Sequence, residues 1–333
     1  MQLSASIGQV RSDLSFYGRT AYLLAKGLTT KLPGMQTLSR GPGPGGGGKT
    51  QSASYCYGVW LKHLALLWKN GMRSIPGTVV ELGPGRSVGT GLAALLSGAE
   101  RYIGIDAVRH ADAHSQVSIL RELTGLFRAR APRPTKGWPD YDDCLNARLF
   151  PGQILTEEHL ARTLAPERLA MLERATSEVC KHAGAPVVYA TWDDAPPIRD
   201  GETDLVFSHV VLCVVKDLDG MYGRIARWLK PGGWTSHQTD FSSLHTTPQW
   251  NGHLRYGERL WRRMAGRRPY FGNQDRLSRH LELLRAHGFD SISVIPYMRY
   301  DGVPRALLAK RWQALDEDDL HCAAAFIVAR KRA

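Results

Sequence analysis

The stretch Thr78-Val79-Val80-Glu81-Leu82-Gly83-Pro84-Gly85-Arg86-Ser87-Val88-Gly89 constrains this chain more than any other. β-favouring and apolar residues lead to an acid, and then glycines begin. That order predicts a buried parallel strand, a tight turn and a helix whose apolar residues come from Thr90 to Leu96. A ligand is expected on the turn.

The spacing narrows the ligand. A dinucleotide fingerprint is G-x-G-x-x-G, with glycines that let a pyrophosphate approach a helix N-terminus. Here the spacing is G-x-G-x-x-x-G, preceded by Glu81. A carboxylate at that point repels a phosphate and suits an ammonium or sulfonium group, and S-adenosylmethionine carries both. About 20 residues on, Arg101-Tyr102-Ile103-Gly104-Ile105-Asp106 reads as a second strand ending in an acid, where a carboxylate accepts hydrogen bonds from ribose hydroxyls. Alone, Asp106 fits NAD equally well.

Three later segments decide between them. Pro186 to Thr191 reads as a third strand followed by Trp192-Asp193-Asp194, Thr203 to Leu212 contains a fourth, and Leu229-Lys230-Pro231-Gly232-Gly233-Trp234 is a turn before a fifth. From about Gly77 to Thr239 this order resembles the class I S-adenosylmethionine-dependent methyltransferases. The resemblance implies an α/β, Rossmann-like sheet of seven strands in the order 3-2-1-4-5-7-6, the last antiparallel. It also implies S-adenosyl-L-methionine as cofactor, held by Glu81, Gly83, Gly85, Asp106, Trp192, Asp193 and Ser208. Leu281 to His287 is then a helix, Ser291 to Pro296 the sixth strand and His321 to Ala329 the seventh.

With 333 residues, 43% of them hydrophobic, the chain can form one large α/β core with appendages. Its formal charge of +12 is concentrated at the N-terminus, where Asp13 is the single acid before Gly77. The five cysteines have no metal-binding or paired spacing, and no signal-like segment or membrane-spanning run is evident. A reduced, cytoplasmic protein is expected, with peripheral contact at the inner membrane face as a further reading of the basic arm.

That arm, residues 1 to 54, precedes the methyltransferase-like domain of residues 55 to 333. Phe16 to Lys26 fits a basic amphipathic helix, either for an anionic membrane or packed on the core with solvated cations. Gly41 to Thr50 contains a match to the phosphate-binding loop, but Met35 to Arg40 is a poor strand to deliver it. It reads as a flexible linker able to order over a ligand. The apolar residues from Tyr55 to Asn70 recur at helical spacing, with Tyr55 and Tyr57 either reaching the cofactor pocket or filling the core. Two insertions are expected, at about 127 to 185 and 240 to 275. The first reads as a helical cap beside the cofactor cleft or as packing on a sheet edge.

Ligands of open α/β sheets gather at the carboxyl ends of the strands, so His209 and His237-x-x-Asp240 are expected in the crevice with Glu81 and Asp106. Methyl transfer is an in-line displacement that needs alignment, and a base when the nucleophile is a hydroxyl. His237 or His209 is the expected base, with Asp240 as orienter; His245 and His253 are weaker candidates, and no metal cluster is evident. Ser208-His209-Val210-Val211 stands where methyltransferases of base amino groups often carry Asn- or Asp-Pro-Pro-Tyr, which disfavours that route. Arg255, Arg259, Arg262, Arg263, Arg267 and Arg268, interleaved with Trp250, Tyr256, Trp261 and Tyr270, suit an anionic acceptor or a solvated face.

Three functions fit. The first is an O-methyltransferase for a small-molecule or glycan acceptor, polar and anionic, or its lipid-linked precursor; the Trp250 to Tyr256 stretch resembles methyltransferases of bacterial polysaccharide clusters. The second is an RNA methyltransferase, suggested by the charge. The third is an NAD-dependent oxidoreductase or a non-catalytic binding module on the same fold.

Overall fold

The computed structural model describes residues 2–32, 49–108, 113–134, 149–179, 185–194, 198–268 and 270–333, with side chains from residue 16 onward and excepting 113 and 114. The part of the Gly-rich linker from 33 to 48 and the basic connection from 135 lie outside them. Seven strands form one sheet in the order β3-β2-β1-β4-β5-β7-β6. They are β1 (Thr78–Leu82), β2 (Arg101–Asp106), β3 (Val187–Thr191), β4 (Thr203–His209), β5 (Leu229–Asp240), β6 (Phe289–Met298) and β7 (Cys322–Lys331). β1 to β5 pair in parallel, and β7 runs antiparallel between β5 and β6. The expected topology is therefore present, with β6 and β7 each longer than the sequence suggests.

Because successive strand residues face opposite ways, each strand feeds two cores. Val79, Leu205 and Phe207 join α2 (Ala53–Lys69), α3 (Gly89–Leu96) and α4 (Ala113–Arg128) on one face. Val80, Leu82 and Val206 join α7 (Leu218–Trp228) and α9 (Leu277–Ala286) on the other. The Pro-Gly-Gly turn lies within β5: Leu229 pairs with Thr203 and Trp234 with Leu205, so Lys230 to Gly233 bulge from the ladder. Gly232 there takes φ 74°.

The first insertion folds into α5 (Glu157–Thr163) and α6 (Pro166–Ser177), the latter opened by Pro166. Arg168 donates to the carbonyls of Leu95 and Ala99, and the His159 ring bonds the carbonyl of Ser97. These partners lie in the last turn of α3 and between α3 and β2, at the edge opposite the strands' carboxyl ends. The described part of the insertion packs on helices and the β3 edge, the second of its two expected placements.

At the other end, α1 (Gln2–Thr29) lies on α8 (Glu258–Ala265). Leu23 joins Tyr256, Trp261, Met264 and Phe271 in a small separate core. The crossing is close because Gly27 has no Cβ: one there would run into the carbonyl oxygens of Arg263 and Met264. Arg19 donates to the carbonyls of His245 and Thr246. The short helices α10 (Lys310–Gln313) and α11 (Glu317–His321) precede β7. Among the described residues no helix is long and apolar enough to cross a membrane.

Candidate active site at the carboxyl edge of the sheet

β1 ends by delivering Glu81 onto the α2–α3 face, 4% exposed. The Tyr102 hydroxyl donates to its Oε2 at 2.5 Å. Burial raises the Glu81 carboxyl to about 8, Tyr102 opposes that rise, and the charge on Asp106 adds to it. A buried carboxylate held this far up is one that a cation would return to its ionised form.

The turn beside it is shaped for close approach. Gly83 and Gly85 take φ 65° and 72°, and a Cβ on Gly83 would stand 2.6 Å from a methyl of Val211. Asp106, 5% exposed at the end of β2, accepts from the Gly85 N–H at 2.9 Å and the Ala107 N–H at 2.7 Å. These bonds fix the orientation of the carboxylate at the end of β2. The residues at β1 and β2 therefore fit a ligand with a cationic amino acid at one end and a ribose at the other.

Two described segments close over this turn. Thr50, at the end of the Gly-rich linker, accepts from the Arg86 N–H through its hydroxyl at 3.0 Å, while its carbonyl accepts from Ser87 Oγ. Thr50 is thus tied to the glycine turn. From the second insertion, Tyr270 comes near enough to Asp106 that the carboxylate, after burial, helps push the phenol up to about 12. Asn273 anchors this segment by donating to the carbonyls of Leu212 and Val215 at 2.8 and 2.9 Å.

At the end of β4, His209 is half-buried on the α2 face, edge-on to Tyr55 at 6.1 Å and to His63 at 5.8 Å between centroids. Its Nδ1 is buried without a hydrogen-bond partner among the described residues. Burial, and then the charge of Lys62, lower the ring to about 3, so it is a neutral imidazole at physiological pH. The next residue, Val210, takes φ 60°. That conformation is an outlier for a β-branched side chain and costs about 1–3 kcal/mol. Strain is therefore stored immediately after His209.

His237 departs from expectation. It is fully buried on the α7–α9 face, with Nδ1 2.8 Å from Ser208 Oγ and Nε2 2.5 Å from Thr235 Oγ1. Burial first, then the nearby His280, lower it to about 3. Both nitrogens are engaged inside the core, and residues three apart on a strand face opposite ways, so Asp240 does not orient His237. Ser208 is corrected with it: its hydroxyl points to His237 and not toward the glycine turn. Asp240 stands half-buried at the end of β5, where it accepts from the Ser242 N–H at 2.7 Å, and burial raises its carboxyl.

Trp192 stacks on Trp228 of α7 at 6.1 Å between centroids, with the Arg224 guanidinium 5.4 Å from its ring centroid. Asp193 beside it is exposed. His253 is buried in the second insertion, and burial lowers its ring to about 3. Sequence reading missed Lys62 and His63, both buried on α2. His63 Nδ1 lies 2.8 Å from Ser236 Oγ and its Nε2 is buried without a partner among the described residues. A Lys-His pair in an otherwise apolar helix was the available signal. Among the described residues no group of three or more His, Cys, Asp or Glu could hold a metal ion.

Comparison with known proteins agrees with this geometry. A methyltransferase-domain family model matches residues 156–236. No curated protein sequence matches the chain. Among solved structures, the chain is similar to Haemonchus contortus phosphoethanolamine N-methyltransferase 2 in complex with S-adenosyl-L-methionine, with 18% identity over 84% of this chain and 57% of that one, and a TM-score of 0.41. An S-adenosylmethionine-dependent methyltransferase from Mesorhizobium loti matches at 16% identity over 81% of this chain and 100% of that one, with a TM-score of 0.39. The CurJ carbon methyltransferase matches at 12% identity over 100% and 70%, also with a TM-score of 0.39. The chain thus spans little more than half the length of the Haemonchus protein. At these TM-scores the likenesses carry no weight, which rests on the domain match and the strand order. The strand order and the domain match over residues 156–236 are those of the Rossmann-like methyltransferase fold.

Proposed function

We propose that this chain is an S-adenosylmethionine-dependent methyltransferase acting on a hydroxyl of a polar, anionic acceptor, with a cell-surface glycan or its lipid-linked precursor as the leading class, on the cytoplasmic side of the membrane. The observation that carries the reading is His209, a neutral imidazole with an unpartnered Nδ1 beside the glycine turn. A hydroxyl nucleophile must lose a proton as it attacks, and His209 Nδ1 is the unprotonated nitrogen at the β4 end to take it, a weak base because burial holds the ring at about 3. Arg259, Arg262, Arg263 and Arg267, exposed on and after α8, supply the positive field for an anionic acceptor.

When bound, the cofactor supplies an electrophilic methyl on a sulfonium. Glu81 would hold the cationic amino acid end, and Asp106 with the backbone of Gly83 to Gly85 the ribose side. Tyr55 and Tyr270 exclude water from the two ends of the crevice. His209 receives the acceptor proton, and the strained Val210 fixes the ring's direction. Trp192 and Asp193 extend the same edge at β3, and Asp240 extends it at β5.

The test is methyl transfer from labelled S-adenosylmethionine to lipid-linked oligosaccharide and, separately, to RNA. The expected result is label in the oligosaccharide, with His209→Gln lowering kcat by about a hundredfold or more while cofactor binding stays within twofold. Label in RNA, or full activity in His209→Gln, would overturn the proposal.

A further inference from the structure

The helix α1 uses only part of its circumference to pack. Leu23, Gly27 and Thr30 are buried against α8 and the residues after it. At 100° per residue, Tyr17, Ala21 and Leu28 fall on a different face, and all three are exposed. Tyr17 is 68% exposed, Tyr22 54%, Leu28 56% and Leu32, just past the helix, 55%. Half of the eight large exposed hydrophobic side chains among the described residues therefore lie on this one segment.

Cations frame these apolar residues. Arg19 and Lys26 both lie over the Tyr22 ring, at 5.9 and 5.7 Å from its centroid, and Lys31 is exposed beside Leu32. The helix underneath adds the exposed Arg259, Arg262 and Arg263, against which Glu258 is the one acid in α8. A tyrosine with its ring between basic stems, next to exposed leucines, matches the chemistry of a bilayer's interfacial zone, where rings sit among headgroups and long cationic side chains reach phosphates. A cleft of about 230 Å³ opens on the adjoining face, lined by Phe16, Arg19, Thr247 and Tyr256 among others, and Arg19 belongs to both features.

We infer that the exposed face of α1, with the basic face of α8, docks the enzyme on an anionic phospholipid surface. The occupant is argued from charge. A second copy of this chain would bring the same cations into opposition, whereas an anionic bilayer neutralises them and receives the tyrosines and leucines together. The helix lies in the interface plane and does not span it, consistent with its interrupted apolar stripe. The inference shares Arg259, Arg262 and Arg263 with the proposed acceptor field, and its test therefore rests on the α1 residues, which lie outside the glycine turn, the β4 end and that field.

The test is co-sedimentation of the full chain with vesicles of phosphatidylcholine alone and with added phosphatidylglycerol, at low and high salt. The expected result is binding to the anionic vesicles only, lost at high salt. The variant pair Tyr17→Ser with Leu28→Ser and the pair Lys26→Glu with Lys31→Glu should each weaken that binding at least tenfold. Neither should alter the melting temperature or S-adenosylhomocysteine affinity, since these side chains point away from α8. Absence of vesicle binding, equal binding to neutral vesicles, or full binding by both variant pairs would overturn the inference. So would a dimer that the serine pair converts to a monomer, or an RNA complex lost in the same variants without vesicle binding.

Discussion

Glu81 makes the sharpest single-residue claim. Its carboxyl, raised to about 8 in the free protein, must ionise to hold the cofactor's ammonium. Binding therefore releases a proton, and S-adenosylhomocysteine affinity should rise as pH climbs toward about 8, by at most about tenfold per pH unit. Titration calorimetry in buffers of different ionisation enthalpy reads that proton directly, and Glu81→Gln should bind more weakly with a flat profile. An unchanged slope in Glu81→Gln would contradict the role. Val210 offers a second test. Replacing it with glycine relieves a positive φ and should stabilise the fold by about 1 kcal/mol. The same change loosens His209, so kcat should fall while KM for the cofactor holds; higher activity in Val210→Gly would count against stored strain as a positioning device. The tight turn with Gly83 and Gly85 between Glu81 and Asp106 was readable because a positive-φ turn leaves its glycines in the sequence. His237 and Ser208 misled because a histidine near a strand's end gives no sign of which face it takes, and here Thr235 and Ser208 satisfy it inside the core.

Among the elements, α1 meets the core-packing reading of the basic arm while leaving a second face exposed. It packs on the core through Leu23 and Gly27, and it also keeps an exposed basic and apolar face. Gly27→Val should force the two backbones apart at α8, costing about 1–3 kcal/mol. Limited proteolysis should then cut α1 away before the sheet domain, with S-adenosylhomocysteine binding retained. Equal protease resistance in Gly27→Val would show that the close crossing matters little. The seven strands were legible because short β-branched runs separated by turn residues repeat in a fixed order. The placement of α5 and α6 was not, because the contacts that decide it are side chains to carbonyls: Arg168 to Leu95 and Ala99, and His159 to Ser97. Such bonds leave no periodicity. Tyr270 stood out among arginines, yet its approach to Asp106 depends on how the whole second insertion folds back.

For the molecule as a whole, buried histidines set the pH response. His209, His237, His253 and His280 are each lowered to about 3, and His63 is lowered as well, with burial the largest cause throughout. The unfolded chain takes up protons at these sites as pH falls below the ordinary histidine value of 6.5, and the folded chain resists until near 3. Stability should therefore fall steadily as pH drops from about 6.5 toward about 4. Glu81 works the other way, as do Asp240 and Asp275, whose carboxyls burial also raises, but these three stand against five lowered histidines. A melting temperature that stays flat or rises on acidification would contradict this picture.

The central claim is that the β1 turn and the β2 acid form an S-adenosylmethionine site. Calorimetric titration of the full chain with S-adenosylhomocysteine, with NAD and ATP alongside and Asp106→Ala as the variant, tests it most directly. The account predicts binding of S-adenosylhomocysteine alone, weakened at least tenfold by Asp106→Ala, or about 1.4 kcal/mol. Binding of NAD or ATP in its place, or S-adenosylhomocysteine affinity indifferent to Asp106→Ala, would contradict it.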